Sequence, residues 1–401
     1  MSSKSAWEMR RAGAALVVWL TLVYMAIGTV LAKESVVSTW QPPAALEDLP
    51  ATDDCPELMR LANGKQITSV EDWHLRRREL KQMLQYYVYG SLPERPAEVR
   101  VSQHIVRTKD NTIEEEMVLQ IVADNNVILP MKIALSRPSE QGQTGSDKRV
   151  KRPVIIAEVH QITRLPCIPK FVEKRYVFVQ YQREDLDPDK PDVLGPAQQA
   201  YPDHDWATIA VWAWGASRVV DYLESRDDID LGKLAVTGHS RGGKAALLAG
   251  AMDERFALVA PNGSGCGGAG SFRESPRDAE SLAQITDPER FHYWFHPNLR
   301  WFAGRENRLP LDQHFAKALV APRALLCTEA KQDRWANPDG SRKTSQWAAD
   351  AFRLCDAESK NGFHLREGSH DQTAEDWDAL LQFAEWHFFG RQSVDVIRYR
   401  P

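Results

Sequence analysis

The chain has 401 residues, 26% of them charged and 43% hydrophobic, with a formal charge of -5 at neutral pH. That length can bury one large globular core. There is no basic stripe, no interleaving of basic and aromatic residues and no zinc-type cysteine spacing, which leaves nucleic-acid binding without support.

At the N-terminus, Arg10 and Arg11 precede an uncharged, largely apolar run over 12–32, and Val30, Leu31 and Ala32 offer a cleavage position. This pattern predicts a signal peptide at 1–32 and export to the periplasm or beyond; because about 20 apolar residues span a bilayer, an uncleaved signal anchor is the alternative. Five cysteines (Cys55, Cys167, Cys266, Cys327, Cys355) are scattered, so export would permit a disulfide but the spacing specifies none. Residues 33–60, rich in Pro, Ala, Ser and acids, read as a linker, leaving 61–401 as a single domain.

Ser69 to Asp72 resembles a capping box, and apolar residues at helical spacing predict a helix over 73–89, ended by Gly90 and Pro93. Partial alternation predicts antiparallel strands over 99–106, 113–122 and 127–135, separated by Asp110-Asn111 and Asn125-Asn126 turns. The charged, Gly/Ser/Gln-rich stretch 136–151 reads as a loop. From Arg152 the pattern changes to short apolar runs alternating with helical ones. Strands are expected at 153–159, 176–180, 234–237, 258–261 and 324–328, with a long Ala/Trp/Val helix at 206–223 and a closing helix at 377–388. Such alternation implies a mainly parallel, doubly wound sheet with antiparallel N-terminal strands, a three-layer α/β/α sandwich. Most of the 13 tryptophans belong in that core, though flat rings also serve as platforms for sugars.

The stretch Lys233 to Gly250 reads as an apolar strand, a Gly238-His239-Ser240-Arg241-Gly242 turn and an Ala/Leu helix beginning near Lys244. This is the nucleophile-elbow pattern of the α/β-hydrolase fold, in which glycines two before and two after the serine relieve crowding at a sharp strand-to-helix turn. A serine hydroxyl is a poor nucleophile, so it needs a base in hydrogen-bond reach and a carboxylate to orient that base. In this fold the order is serine, acid, histidine. His370 lies in a small-residue loop after the last strand candidate and before the final helix, where the base belongs. Two carboxylates compete for the acid, Glu329 and Asp333; Asp333 is favoured because it has loop residues enough to turn back toward His370, with Glu329 in reserve. The Arg241 backbone N–H is expected to form half of an oxyanion hole, and its guanidinium to add charge-assisted donors. Lys244, one helical turn past the serine, either points toward the same pocket or is a solvated cation of the helix face.

These residues resemble a known family, the glucuronoyl esterases of carbohydrate esterase family 15, and most of all its bacterial members. The similarity runs from Trp73 to Phe389 and is densest at Asp205–Arg218, Gly238–Lys244, Ser264–Gly268, Leu309–His314, Ala321–Arg323 and Asp333–Pro338. The resemblance implies hydrolysis of esters joining 4-O-methylglucuronic acid side chains of xylan to lignin alcohols. It implies Ser240 as nucleophile, His370 as base, Arg241 as oxyanion-stabilising side chain, and Lys244, Glu280 and Trp335 as contacts to the uronate. Many members carry a catalytic glutamate where this chain has Gly263, so the acid must come from the later loop. The cysteine that many members place before the nucleophile is His239 here.

The expected protein is therefore an exported, monomeric serine carboxylesterase that takes a carbohydrate ester, touches a membrane only if its leader is uncleaved, and needs no metal or cofactor, since motifs such as H-E-x-x-H are missing. An acetyl esterase acting on decorated polysaccharide and a catalytically silent sugar-binding homologue are the rival readings.

Overall fold

A computed structural model of the chain describes residues 40–139, 150–391 and 400–401. The leader at 1–32, residues 33–39 of the expected linker and most of the 136–151 loop lie outside the described residues.

Among the described residues, nine strands form one sheet in the order β1-β2-β3-β5-β4-β6-β7-β8-β9. The first three, β1 (Glu98–Lys109), β2 (Thr112–Val122) and β3 (Ile128–Pro138), are an antiparallel meander. Both hairpins turn on polar residues with positive φ, Asp110 (52°) and Asn126 (64°), where a short side chain tolerates the left-handed region. β3 pairs antiparallel with β5 (Val177–Gln182), and from there β4 (Arg152–Val159), β6 (Ile229–His239), β7 (Leu258–Asn262), β8 (Ala324–Ala330) and β9 (Asn361–Arg366) run parallel.

Parallel strands covered on both faces need apolar residues at every position, and β4, β5 and β8 are buried over nearly their whole length. Successive residues feed opposite cores. Val154 and Ile156 pack with Val236, while Ile155 and Ala157 pack with Ala235. The first core is closed by α1 (Val70–Leu84), α2 (Thr208–Leu223), α3 (Arg241–Met252) and α4 (Pro338–Leu354); the second is closed by α5 (Ala374–Phe389) and the segment around Phe171. Every residue of α2 is buried, which is why apolar residues occupy most of its circumference rather than one stripe, and why its two charges, Arg218 and Asp221, pair with each other at 2.6 Å. The three-layer α/β/α architecture expected from the alternation is what forms.

Four expectations change. Residues 40–60 are not a free linker: Leu58 is buried in the first core, and Arg76 donates to the Leu58 and Glu57 carbonyls. Composition suggested a linker because this segment is held by its backbone groups more than by its side chains; Arg308 and Arg273 likewise donate to the carbonyls of Leu49 and Thr52. The capping box at Ser69 is half formed. Its hydroxyl accepts from the Asp72 N–H at 3.2 Å, but the Asp72 carboxylate pairs with Lys65. The elbow helix starts at Arg241 rather than near Lys244, and β9, Asn-Gly-Phe-His-Leu-Arg, lacks the apolar run that marks its neighbours.

Candidate active site

The C-terminal ends of β6, β7, β8 and β9 deliver the candidate residues to one edge of the sheet, where open parallel sheets hold their ligands. β6 ends at His239, α3 begins at Arg241, and Ser240 alone makes the turn, with φ 56° and ψ -121°. A non-glycine residue in that region costs on the order of 1–3 kcal/mol, which the surrounding structure must offset. Here the Ser240 N–H donates to the Asn262 carbonyl at 2.9 Å, and the Ser240 carbonyl accepts from the Lys244 N–H at 3.1 Å. The flanking glycines are required sterically. A Cβ on Gly238 would lie 2.4 Å from the Gly242 carbonyl oxygen, and one on Gly242 would lie 1.9 Å from Glu158 Oε2.

His370 comes from the loop after β9 and Asp333 from the loop after β8. His370 Nε2 is 2.9 Å from Ser240 Oγ, and its Nδ1 is 2.6 Å from Asp333 Oδ2. An ionised carboxylate only accepts, so Nδ1 carries the proton and Nε2 presents its lone pair to the serine hydroxyl. Two side chains that the sequence did not single out set this geometry. Arg366, paired with Asp376 at 2.6 Å, donates to the carbonyls of Ser369 and Asp371 on either side of His370. Asn262 ties β7 to β8 through Thr328 Oγ1 at 2.8 Å and accepts from His239 Nδ1 at 2.6 Å. No sequence signal marks either of them, because both act on loops that meet only in the folded chain.

Glu329, the reserve acid, does not reach His370. It is buried within β8 beside Ser341 and Lys317, where burial pushes its carboxyl up to about 8. The turn at Lys331 and Gln332, closed by the Asp333 N–H donating to the Ala330 carbonyl at 3.1 Å, makes the difference: Asp333 accepts from the Ala336 N–H at 3.1 Å and turns its other oxygen to the imidazole. Gly263 stands at the same place from the other side. A Cβ there would be 3.4 Å from Asp333 Oδ2 and 3.6 Å from His370 Nδ1.

His239 packs against His370, with ring centroids 4.6 Å apart and the planes tilted by 44°. Burial lowers its pKa against the opposing pull of its bond to Asn262, which keeps it neutral beside the base. The Arg241 guanidinium lies 4.7 Å over the Trp294 ring and donates to Asp189 Oδ2. Lys244 is not a solvated helix-face cation. Its side chain is 2% exposed, and Nζ donates to the Ser264 carbonyl (2.7 Å), the Cys266 carbonyl (2.6 Å) and Glu280 Oε2 (2.6 Å). The structure thus brings Lys244 and Glu280 together, and Trp335 joins them through its carbonyl, which accepts from the Glu280 N–H at 2.9 Å. Beside Ser240 and His370 opens a cleft of about 600 Å³, walled by Val159, Leu165, Arg183, Gln372 and Trp377.

A strained serine at a strand-to-helix turn, with a histidine and a buried aspartate in hydrogen-bonded sequence behind it, defines a serine hydrolase of the α/β-hydrolase class. The comparisons narrow the class. A family model described as "Glucuronyl esterase, fungi" matches residues 127–355. A carbohydrate esterase, MZ0003, from an unknown prokaryotic organism is 32% identical over 84% of this chain and 90% of its own. The 4-O-methyl-glucuronoyl methylesterase 1 of Wolfiporia cocos is 28% identical over 86% of this chain and 81% of its own. Among solved structures, a family 15 glucuronoyl esterase from Caldicellulosiruptor kristjansonii superposes with a TM-score of 0.73 at 30% identity, covering 87% of this chain and 94% of that one. The chain belongs to the glucuronoyl esterase family.

Proposed function

We propose that this chain is an exported serine carboxylesterase that hydrolyses 4-O-methylglucuronoyl esters of plant-type polysaccharide, such as xylan–lignin ester links, through an acyl-enzyme on Ser240. The observation that carries this reading is the unbroken relay Asp333–His370–Ser240 at the mouth of a cleft, in a chain of this family. His370 Nε2 takes the proton of Ser240 Oγ as the oxygen attacks the ester carbonyl. The oxyanion develops at the N-terminus of α3, where the first backbone N–H groups of a helix have no intrahelical partner, and Arg241 adds its charge from the side. His370 then gives its proton to the departing alcohol, and water, deprotonated by the same imidazole, releases the uronate.

Lys244, Glu280 and Trp335 form the acyl-side wall in this reading. The Glu280 carboxylate, fixed by Lys244, is positioned as an acceptor for sugar hydroxyls, and the half-buried Trp335 offers its ring face. The leaving alcohol occupies the cleft between Leu165 and Trp377. The leader pattern at 1–32 supports export; among the described residues no helix is long and apolar enough to cross a membrane.

The test compares hydrolysis of a benzyl glucuronate ester with release of acetate from acetylated xylan, using wild type and Ser240→Ala. Turnover of the glucuronate ester that disappears in the folded variant is expected. Activity on acetyl groups alone would overturn the uronate assignment, and a wild type inert on both would make the chain a sugar-binding homologue.

A further inference from the structure

We infer that Asp189, in the loop after β5, is a positioning residue that holds the Arg241 guanidinium at the oxyanion site; the inference rests on the role of Arg241 proposed above. An arginine side chain has four rotatable bonds and, left to itself, spends little time at one place. Arg241 is about one-third exposed, yet it is gripped from two sides. Its NH1 donates to Asp189 Oδ2, and its planar group lies 4.7 Å over the Trp294 ring.

Asp189 is itself fixed with both oxygens committed. Oδ1 accepts from Tyr293 Oη at 2.8 Å and from Trp294 Nε1 at 2.9 Å, so the ring that stacks on the arginine also bonds the arginine's counter-ion. The carboxylate side chain is 8% exposed, and Arg183 NH2 approaches Oδ2 at 3.7 Å. Burial alone would raise its pKa, but the bonds from Trp294 and Arg241 outweigh it and hold the carboxyl below its ordinary value, so it is an anion at neutral pH. Arg183 continues the network to Glu158 at 2.9 Å, and the Glu158 carboxylate fills the space against Gly242 where a side chain would be. The elbow backbone and the Arg241 side chain are therefore held by one chain of alternating charges: Glu158, Arg183, Asp189, Arg241. With one N–H group spent on Asp189, the guanidinium keeps its remaining donors for the developing oxyanion, already oriented before the ester arrives.

The experiment is a double-mutant cycle on the full chain, with kcat and KM measured on the benzyl glucuronate ester. Asp189→Asn puts an amide donor where Arg241 needs an acceptor. It is expected to lower kcat by about tenfold to a hundredfold with KM within about twofold, because the misplaced group acts on the transition state. In an Arg241→Ala background the same change is expected to do nothing further, within about twofold. Equal losses in both backgrounds, or a rise in KM at unchanged kcat, would overturn the positioning role while leaving that of Arg241 intact. A wild-type kcat in Arg241→Ala would instead remove the oxyanion assignment itself. Should Asp189→Asn fail to fold, Tyr293→Phe decides: it frees one bond to Oδ1, keeps the carboxylate, and is expected to lower kcat several-fold at constant KM only when Arg241 is present.

Discussion

Replacing Asp333 by alanine tests the acid assignment most sharply, because the competing carboxylate lies four residues away on the same segment. Asp333 is 4% exposed and its Oδ2 lies 2.6 Å from His370 Nδ1. Without it the imidazole loses the partner that fixes its tautomer and the counter-charge for the imidazolium that forms as Ser240 attacks. Disabling the acid of such a triad typically costs about 10⁴ in kcat, or about 5 kcal/mol of transition-state stabilisation. Glu329→Ala removes a carboxyl that is buried in β8 beside Lys317 and does not touch His370, and so is expected to change kcat by less than about tenfold. The assay is steady-state hydrolysis of the benzyl glucuronate ester at pH 7, with folding of both variants confirmed by circular dichroism. The reasoning is refuted if Asp333→Ala keeps near-wild-type kcat while Glu329→Ala loses several orders of magnitude.

Glu329 also leaves a mark on stability. Its folded pKa of about 8 lies above the ordinary carboxyl value, so between about pH 4.5 and 8 the unfolded chain releases a proton that the folded chain retains, and stability falls as pH rises through that window. Glu329→Gln removes this loss, on the order of 4 kcal/mol by pH 8, so its Tm relative to wild type should climb from pH 5 to pH 8; a flat difference would contradict the assignment. Gly242→Ala places a methyl 1.9 Å from Glu158 Oε2 and must displace the buried Glu158–Arg183 pair; a loss of several kcal/mol in denaturant unfolding is expected, with little kcat left in the folded fraction. Lys244→Met strands the Glu280 carboxylate, 4% exposed, without its cation, at about 3–5 kcal/mol. Adding Glu280→Gln should recover most of that stability while leaving hydrolysis impaired, a split readable by melting and kinetics on the same samples.

The strands other than β9, the all-buried helix α2, the elbow and the order serine, acid, histidine were legible because each has a local signature: apolar runs, residue period, or a glycine spacing imposed by crowding. What stayed hidden was the set of contacts that exist only between distant segments. Lys244 sits at a helical position that suits solvent as well as a pocket, and only the approach of Ser264, Cys266 and Glu280 makes it a buried cation. Arg366 reads as an ordinary charge in a stretch that no apolar run marks as a strand, yet it ties down the two carbonyls flanking His370. Asp189 was lost among the acids and prolines of 187–192, a composition that marks a turn and says nothing of which acid faces inward. The segment 40–60 misled for the converse reason: chains held through their carbonyls need no distinctive side chains of their own.

The placement of the acid follows from the space around one nitrogen. His370 Nδ1 can be reached from the loop after β7 or from the loop after β8, since a Cβ on Gly263 and the Asp333 carboxylate lie within 3.4 Å of each other. Two carboxylates there would repel, and one would be forced to hold a proton and cease to orient the base. A single carboxylate is therefore stable on either loop but not on both. This chain gives the place to Asp333 and leaves Gly263 bare, with φ 48°, a backbone conformation that a glycine adopts without strain. The neutral His239 ring fits the same logic. Packed against His370 at a tilt of 44° and hydrogen-bonded to Asn262, it supports the base without adding a second charge to it. In the proposed turnover the His370 imidazolium would find its counter-ion in Asp333, whose Oδ2 already lies 2.6 Å from Nδ1.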